Sequence, residues 1–218
     1  STHHVALPDW GASFARARRA LEVEILQPVA ESERALPHPL DESLGQMGRE
    51  LLETLVLTLV IFLLIRSVVQ NFRIDGVSME PNFHEGQYLI INKLAYKVGV
   101  PSRGDVVVFR YPLDPDRDFI KRVIGLPGDV VAVRQGRVLI NGRAVVEPYP
   151  LLPASYSSEP VTVGPGQLYV LGDNRNNSSD SHTWGLLPMD FVVGKAWISY
   201  WPPSQWSVVA HPSLALTP

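Results

Sequence analysis

Asp129-Val130-Val131-Ala132-Val133-Arg134-Gln135-Gly136-Arg137-Val138-Leu139-Ile140-Asn141-Gly142 is the stretch that decides the fold class. Two runs rich in Val and Ile are separated by the pair Gln135-Gly136, and Asn141-Gly142 closes the second run. Such pairs accept positive φ at both central positions of a two-residue turn, so the stretch predicts two consecutive hairpins. Similar β-branched and aromatic runs recur outward from it, at residues 88–92, 105–111, 119–124, 167–171 and 196–201, divided by turn residues. No helical period of useful length interrupts them. Residues 71–218 are therefore expected to form a mainly β domain, an antiparallel β sandwich or a partly open barrel.

Upstream lies LLETLVLTLVIFLLIRSVV, residues 51–69. At ~1.5 Å per residue it spans about 28 Å, close to the ~30 Å hydrocarbon thickness of a bilayer. Only residues 54–65 are free of charge, and a stretch that short also suits a buried or interfacial helix. The segment is apolar on every face, however, and an arginine near its end can snorkel to the interface. Residues 51–70 are read as a single transmembrane helix anchoring the chain in a lipid bilayer. A long acidic flank and the lack of a following Ala-x-Ala distinguish it from a cleaved secretory signal. Charge does not orient it, because Arg34 and Arg49 on one side face Arg66 and Arg73 on the other. Residues 1–50 form an extension with a helical stretch over 14–26 and a proline-containing linker over 27–41.

The net charge of −3 argues against broad nucleic-acid binding, which needs clustered cations. The chain has no cysteine, which removes disulfides, Cys-based zinc sites and thiol nucleophiles together. His3, His4, His38, His84, His182 and His211 show no ligand spacing beyond the terminal pair, so no metal is expected. The polar run Gly172-Asp173-Asn174-Arg175-Asn176-Asn177-Ser178-Ser179-Asp180-Ser181-His182 fails as a calcium loop. Counted from Asp173, Arg175, Ser178 and Trp184 stand at the third, sixth and twelfth positions. No cofactor is implied.

Two residues invite a catalytic reading. Ser78 lies in Asp75-Gly76-Val77-Ser78-Met79-Glu80-Pro81, where flanking Gly and Pro suggest an exposed turn that presents a hydroxyl and its own N–H. Lys121 lies inside the strand-like run 118–125, with Phe119, Lys121 and Val123 on one face and Ile120, Arg122 and Ile124 on the other. Were the first face inner, desolvation would disfavour the ammonium and make the amine a base near neutrality. The alternative is a turn serine and a solvated lysine. A Ser-His-Asp triad could draw on His84 or His182, but no G-x-S-x-G context supports it.

Four segments, in order, resemble the sequence boxes of bacterial type I signal peptidases. They are Ser78-Met79-Glu80-Pro81, Gly104-Asp105-Val106-Val107-Val108-Phe109, the run from Lys121-Arg122 to Gly128-Asp129, and Gly172-Asp173-Asn174-Arg175 through Ser181. The resemblance implies a serine–lysine dyad of Ser78 and Lys121 that removes signal peptides from exported preproteins by acyl-enzyme chemistry. It implies that Ser178 orients the lysine, that Asp180 and Arg175 support it, and that Phe72, Ile74, Met79, Phe119 and Ile120 shape shallow pockets for small residues. It further implies an extracytoplasmic protease domain on a single-pass anchor in the cell membrane, with residues 1–50 cytoplasmic. Two positions depart from the pattern. Gly76 stands where some members carry a serine that donates to the oxyanion, and His182 stands where Arg often pairs with the acid. Two rivals remain: a self-cleaving Ser-Lys repressor, for which residues 1–50 offer no helix-turn-helix, and a membrane-anchored β module that binds peptides along a sheet edge.

Overall fold

The computed structural model describes residues 39–217. A helix, α1 (Pro39–Val68), leads into β1 (Val69–Arg73) and β2 (Tyr88–Asn92). Then follow β3 (Val106–Tyr111), β4 (Asp114–Gly125), β5 (Val130–Arg134), β6 (Arg137–Ile140), β7 (Arg143–Val146), β8 (Ser158–Thr162) and β9 (Gln167–Leu171). The short β10 (Leu187–Pro188), the long β11 (Val192–Trp201), β12 (Ser207–Val208) and β13 (Ala215–Leu216) complete the set. The chain divides into two compact units, Ser1–Leu59 and Val60–Pro218, and among the described residues every strand belongs to the second.

Within α1, Gly45–Val68 is long and apolar enough to cross a membrane. Its hydroxyls are satisfied locally: Thr54 and Thr58 donate to the carbonyls of Glu50 and Thr54 at 2.8 and 2.7 Å, and Ser67 donates to Leu64 O. The anchor assigned to residues 51–70 ends two residues early, because Val69 and Gln70 already belong to β1. There the ladder to β2 takes over, with Val69 opposite Asn92 and Lys93 N–H on Val68 O at 2.8 Å. At the other end the helix already includes Pro39, so it overlaps the linker read over 27–41. The helical stretch read over 14–26 lies outside the described residues.

The two hairpins form as the glycine pairs predict. Gln135 and Gly136 take φ of 47° and 77°, and Asn141 and Gly142 take 51° and 80°. These turns close β5 on β6 and β6 on β7 in a five-stranded antiparallel sheet of order β13-β7-β6-β5-β8. The larger sheet runs β1-β2-β11-β3-β4-β9-β10, with β12 on β11. The domain is thus mainly β and antiparallel, as expected from the sequence. β1 and β8, rich in polar residues, had no counterpart among the apolar runs.

Both faces of the large sheet are buried around the site. Val106, Val108 and Ile120 enter one core with Leu89 and Ile91, whereas Val107, Phe109 and Val123 enter another with Leu168 and Val170. Ile124, Tyr169 and Leu171 join Val131, Val133, Val138 and Ile140 in a third core shared by the two sheets. Lys121 and Arg122 therefore sit in the middle of a strand that is inner on both sides.

Candidate active site

Ser78 occupies the loop that leaves β1. Ile74 N–H bonds Gln87 O at 2.8 Å and Gly86 N–H bonds Ile74 O at 2.9 Å, which closes the base of the loop. Beyond Ser78 the chain coils tightly, with Glu80 N–H on Val77 O and Phe83 N–H on Met79 O. From the far side, Asn174 N–H donates to Ser78 O at 3.0 Å and its side chain to Val77 O at 3.2 Å. The segment is thus gripped in front and behind, while its hydroxyl remains accessible.

Lys121 pairs with Val107 across the β3–β4 ladder and is 3% exposed. Its Nζ lies 2.8 Å from Ser78 Oγ, donates to Ile120 O at 2.8 Å, and stands 5.2 Å from the Phe119 ring centre. Burial lowers its pKa from 10.5 to about 8, against the opposing pull of the Asp180 and Asp173 charges. The neutral amine is therefore accessible near neutrality. His84 lies 3.8 Å from Glu80 and His182 2.6 Å from Asp180, and the side-chain partner of Ser78 Oγ is Lys121.

The polar run after β9 packs against both residues. Asp180 caps the one-turn helix Ser181–Trp184 and accepts from Gly172 N–H at 2.9 Å. His182 Nδ1 reaches the same carboxylate at 2.6 Å, so the partner expected of an arginine is supplied by histidine. Arg175, 1% exposed, donates through Nε to Gly172 O at 3.0 Å and pairs with Glu147. Ser178 Oγ is buried without a hydrogen-bond partner, and the Lys121 amine is held by Ser78 and Ile120 O instead. Ile74 and Met79, 2% and 1% exposed, are packed into the core with Leu89 and Ile91 and do not line the cleft. Phe72, Phe119 and Ile120 do line it, in an open volume of about 710 Å³ beside Ser78 and Lys121.

Several supporting residues escaped the sequence reading. Asp173, wholly buried, accepts from Arg122 Nε at 2.8 Å and Nη2 at 2.7 Å, and from Asn82 Nδ2 at 2.8 Å. Asn82 also donates to Pro150 O at 2.7 Å, and Arg122 lies 3.9 Å from the Tyr149 ring centre. The available signal was Arg122 itself: a guanidinium inside an apolar strand requires a buried acid.

Gly172 packs directly against the Ser78 backbone. A Cβ there would collide with Ser178 Oγ and Cβ and with Ser78 O. Gly172→Ala is expected to displace Ser78 from Lys121 and to lower kcat about 100-fold, as small misplacements do. Single-turnover cleavage by the folded variant checks this.

The chain that carries Ser78 and Lys121 in this cleft matches known proteins over most of its length. Residues 48–201 match the model of the family described as "Signal peptidase, peptidase S26". The chain belongs to this family. It is 44% identical to a probable signal peptidase I-2 of Synechocystis over 70% of this chain and 73% of that one. It is 40% identical to the signal peptidase I of Leptolyngbya laminosa over 81% and 86% of the two chains. Thylakoidal processing peptidase 1 of Arabidopsis thaliana is 37% identical over 66% of this chain and 45% of its own. As a member of the signal peptidase family, the chain is a serine endopeptidase that removes N-terminal signal peptides from preproteins.

Proposed function

We propose that Ser78 is the nucleophile and Lys121 the general base of this signal peptidase. The observation that carries the reading is the 2.8 Å contact between Ser78 Oγ and a lysine buried enough to be neutral. As Ser78 Oγ attacks the scissile carbonyl, its proton passes to Lys121 Nζ. The ammonium then returns that proton to the leaving amine, and an acyl ester remains on Ser78. Lys121 next deprotonates the water that hydrolyses the ester. The Ser78 N–H, which makes no backbone hydrogen bond among the described residues, supplies one contact to the oxyanion. Incubation with a precursor bearing an Ala-x-Ala signal, followed by mass measurement of the product, tests the activity. A Ser78→Ala variant that still releases product would exclude the nucleophile.

The pH profile follows from Lys121. A base works only when deprotonated, so kcat/KM rises with pH through a limb centred at about 8, the value burial gives this amine. His84→Ala and His182→Ala are expected to keep substantial activity with the limb in place. A limb near ~6.5 that disappears in either variant would assign the base to histidine instead.

Specificity for small residues at −1 and −3 rests on Phe72, Phe119 and Ile120 in the cleft wall. An extended substrate turns alternate side chains to one wall, so −2 is permissive while −1 and −3 meet these groups. A precursor with Leu at −1 is expected to be cleaved at least ~10-fold more slowly than its Ala counterpart, on the scale of a pocket rejecting extra methylenes. Competition between the two precursors measures the ratio.

Residues 51–68 of α1, within the apolar stretch Gly45–Val68, form the membrane anchor in this reading, with residues 1–50 cytoplasmic and the protease domain outside, where translocated precursors emerge. A C-terminal domain shielded from added protease in intact cells would reverse that orientation.

A further inference from the structure

Where α1 passes into β1 there is an open cavity of about 670 Å³ that takes no part in the proposed chemistry. Its lining is Phe62, Ile65, Arg66, Val69, Gln70, Asn71 and Lys93, which is to say three apolar side chains, two amides and two cations, with no carboxylate. Arg66 is in the last turn of α1, and its guanidinium lies 5.7 Å from the Phe62 ring centre. Lys93 is distant in sequence and is delivered by the end of β2. Its N–H bonds Val68 O at 2.8 Å, and its Nζ reaches back to Arg66 O at 3.4 Å. Neither cation forms an ion pair among the described residues. The nearby one-turn helix Ala95–Val98 adds Lys97 and no acid.

We propose that this cavity binds the phosphate of an anionic membrane phospholipid, with Arg66 and Lys93 as its cationic ligands. The argument rests on reading Gly45–Val68 as the membrane anchor, which sets the cavity at the end of the span. Phe62, Ile65 and Val69 then continue the apolar surface of the span as a wall for the start of an acyl chain. The amides of Gln70 and Asn71 offer N–H donors at the depth of a headgroup. A forked guanidinium and a compact ammonium with no protein acid to neutralise them suit a phosphate carrying net negative charge, not a zwitterion whose own cation would compete. Lys93 makes the site a product of the fold, because only the β1–β2 ladder brings it against the helix end.

The test uses the full chain in nanodiscs of phosphatidylcholine with a minority of phosphatidylglycerol, released into native mass spectrometry. Retention of phosphatidylglycerol several-fold above its share in the disc is expected, with the preference abolished in Arg66→Gln/Lys93→Gln. Equal retention of both lipids, or undiminished preference in the double variant, overturns the proposal. Displacement of the lipid by millimolar inorganic phosphate would assign the site to a free anion and overturn the lipid source. Incorporation of both chains into discs reports the anchor separately. Precursor cleavage in detergent, unchanged in the double variant, separates this site from the catalytic reading.

Discussion

Lys121→Met is expected to abolish precursor cleavage without lowering the unfolding midpoint at neutral pH. The loss should reach at least ~10⁴-fold in kcat/KM, the upper range for removing a general base and the lower range for dismantling a nucleophile–base unit. Ser78→Ala should lose as much, and the double variant little more, because neither group acts without the other. Stability is governed by the desolvation of the Lys121 amine. Lys121 has a folded pKa of about 8 against 10.5 when solvated, so between those values the unfolded chain binds more protons and stability rises with pH. Below about 8 the full penalty of burying the amine is present, on the order of 3 kcal/mol. Methionine fills a similar volume with no charge to desolvate. Lost Nζ bonds to Ser78 and Ile120 O offset part of the gain. Thermal unfolding at pH 6.5 and at pH 10 separates the terms, since the advantage of methionine should shrink at the higher pH. A Lys121→Met variant that cleaved at near-native rate would show the base to be another group.

Asp173→Ala is expected to be the most destabilising change around the site, by about 3–5 kcal/mol, the usual cost of stranding one member of a buried ion pair. Arg122 would keep its bond to Gly104 O at 3.0 Å, but both of its bonds to the carboxylate would vanish, as would one from Asn82. Urea unfolding of the full chain in detergent measures the cost, and a change under ~1 kcal/mol would mean that the pair contributes little. Asp173→Asn keeps the shape and one of the two acceptor oxygens, at the cost of an amide N–H2 facing a donor, and is expected to lose less than alanine. Because the Asp173 charge favours the Lys121 ammonium, this variant should also move the ascending limb of kcat/KM to lower pH.

The apolar helix illustrates what composition can and cannot define. All-round apolarity marks the helix, but not its end at Val68. The two residues after it are drawn into β1 by pairing with β2, a contact across more than twenty positions that no local pattern encodes. Ile74 and Met79 make the same point about the site. The family resemblance implied that they wall the pockets, yet the loop turns them into the core, and Phe72, Phe119 and Ile120 remain in the cleft.

By itself the sequence determined the hairpins, because Gln135-Gly136 and Asn141-Gly142 relieve the strain of positive φ wherever the rest of the chain goes. It determined an apolar helix and a mainly β domain for the same kind of local reason. It also named Ser78 and Lys121 as candidates through the order of four short segments. Only the tertiary structure decided that Lys121 is buried, since period two divided its strand into two faces and could not tell that both would be inner. Only the folded chain brings the amine to 2.8 Å from Ser78, across 43 positions. The pKa of Lys121 belongs to that environment: desolvation by β3, β4 and the loop after β9 acts through space, and sequence separation carries no information about it.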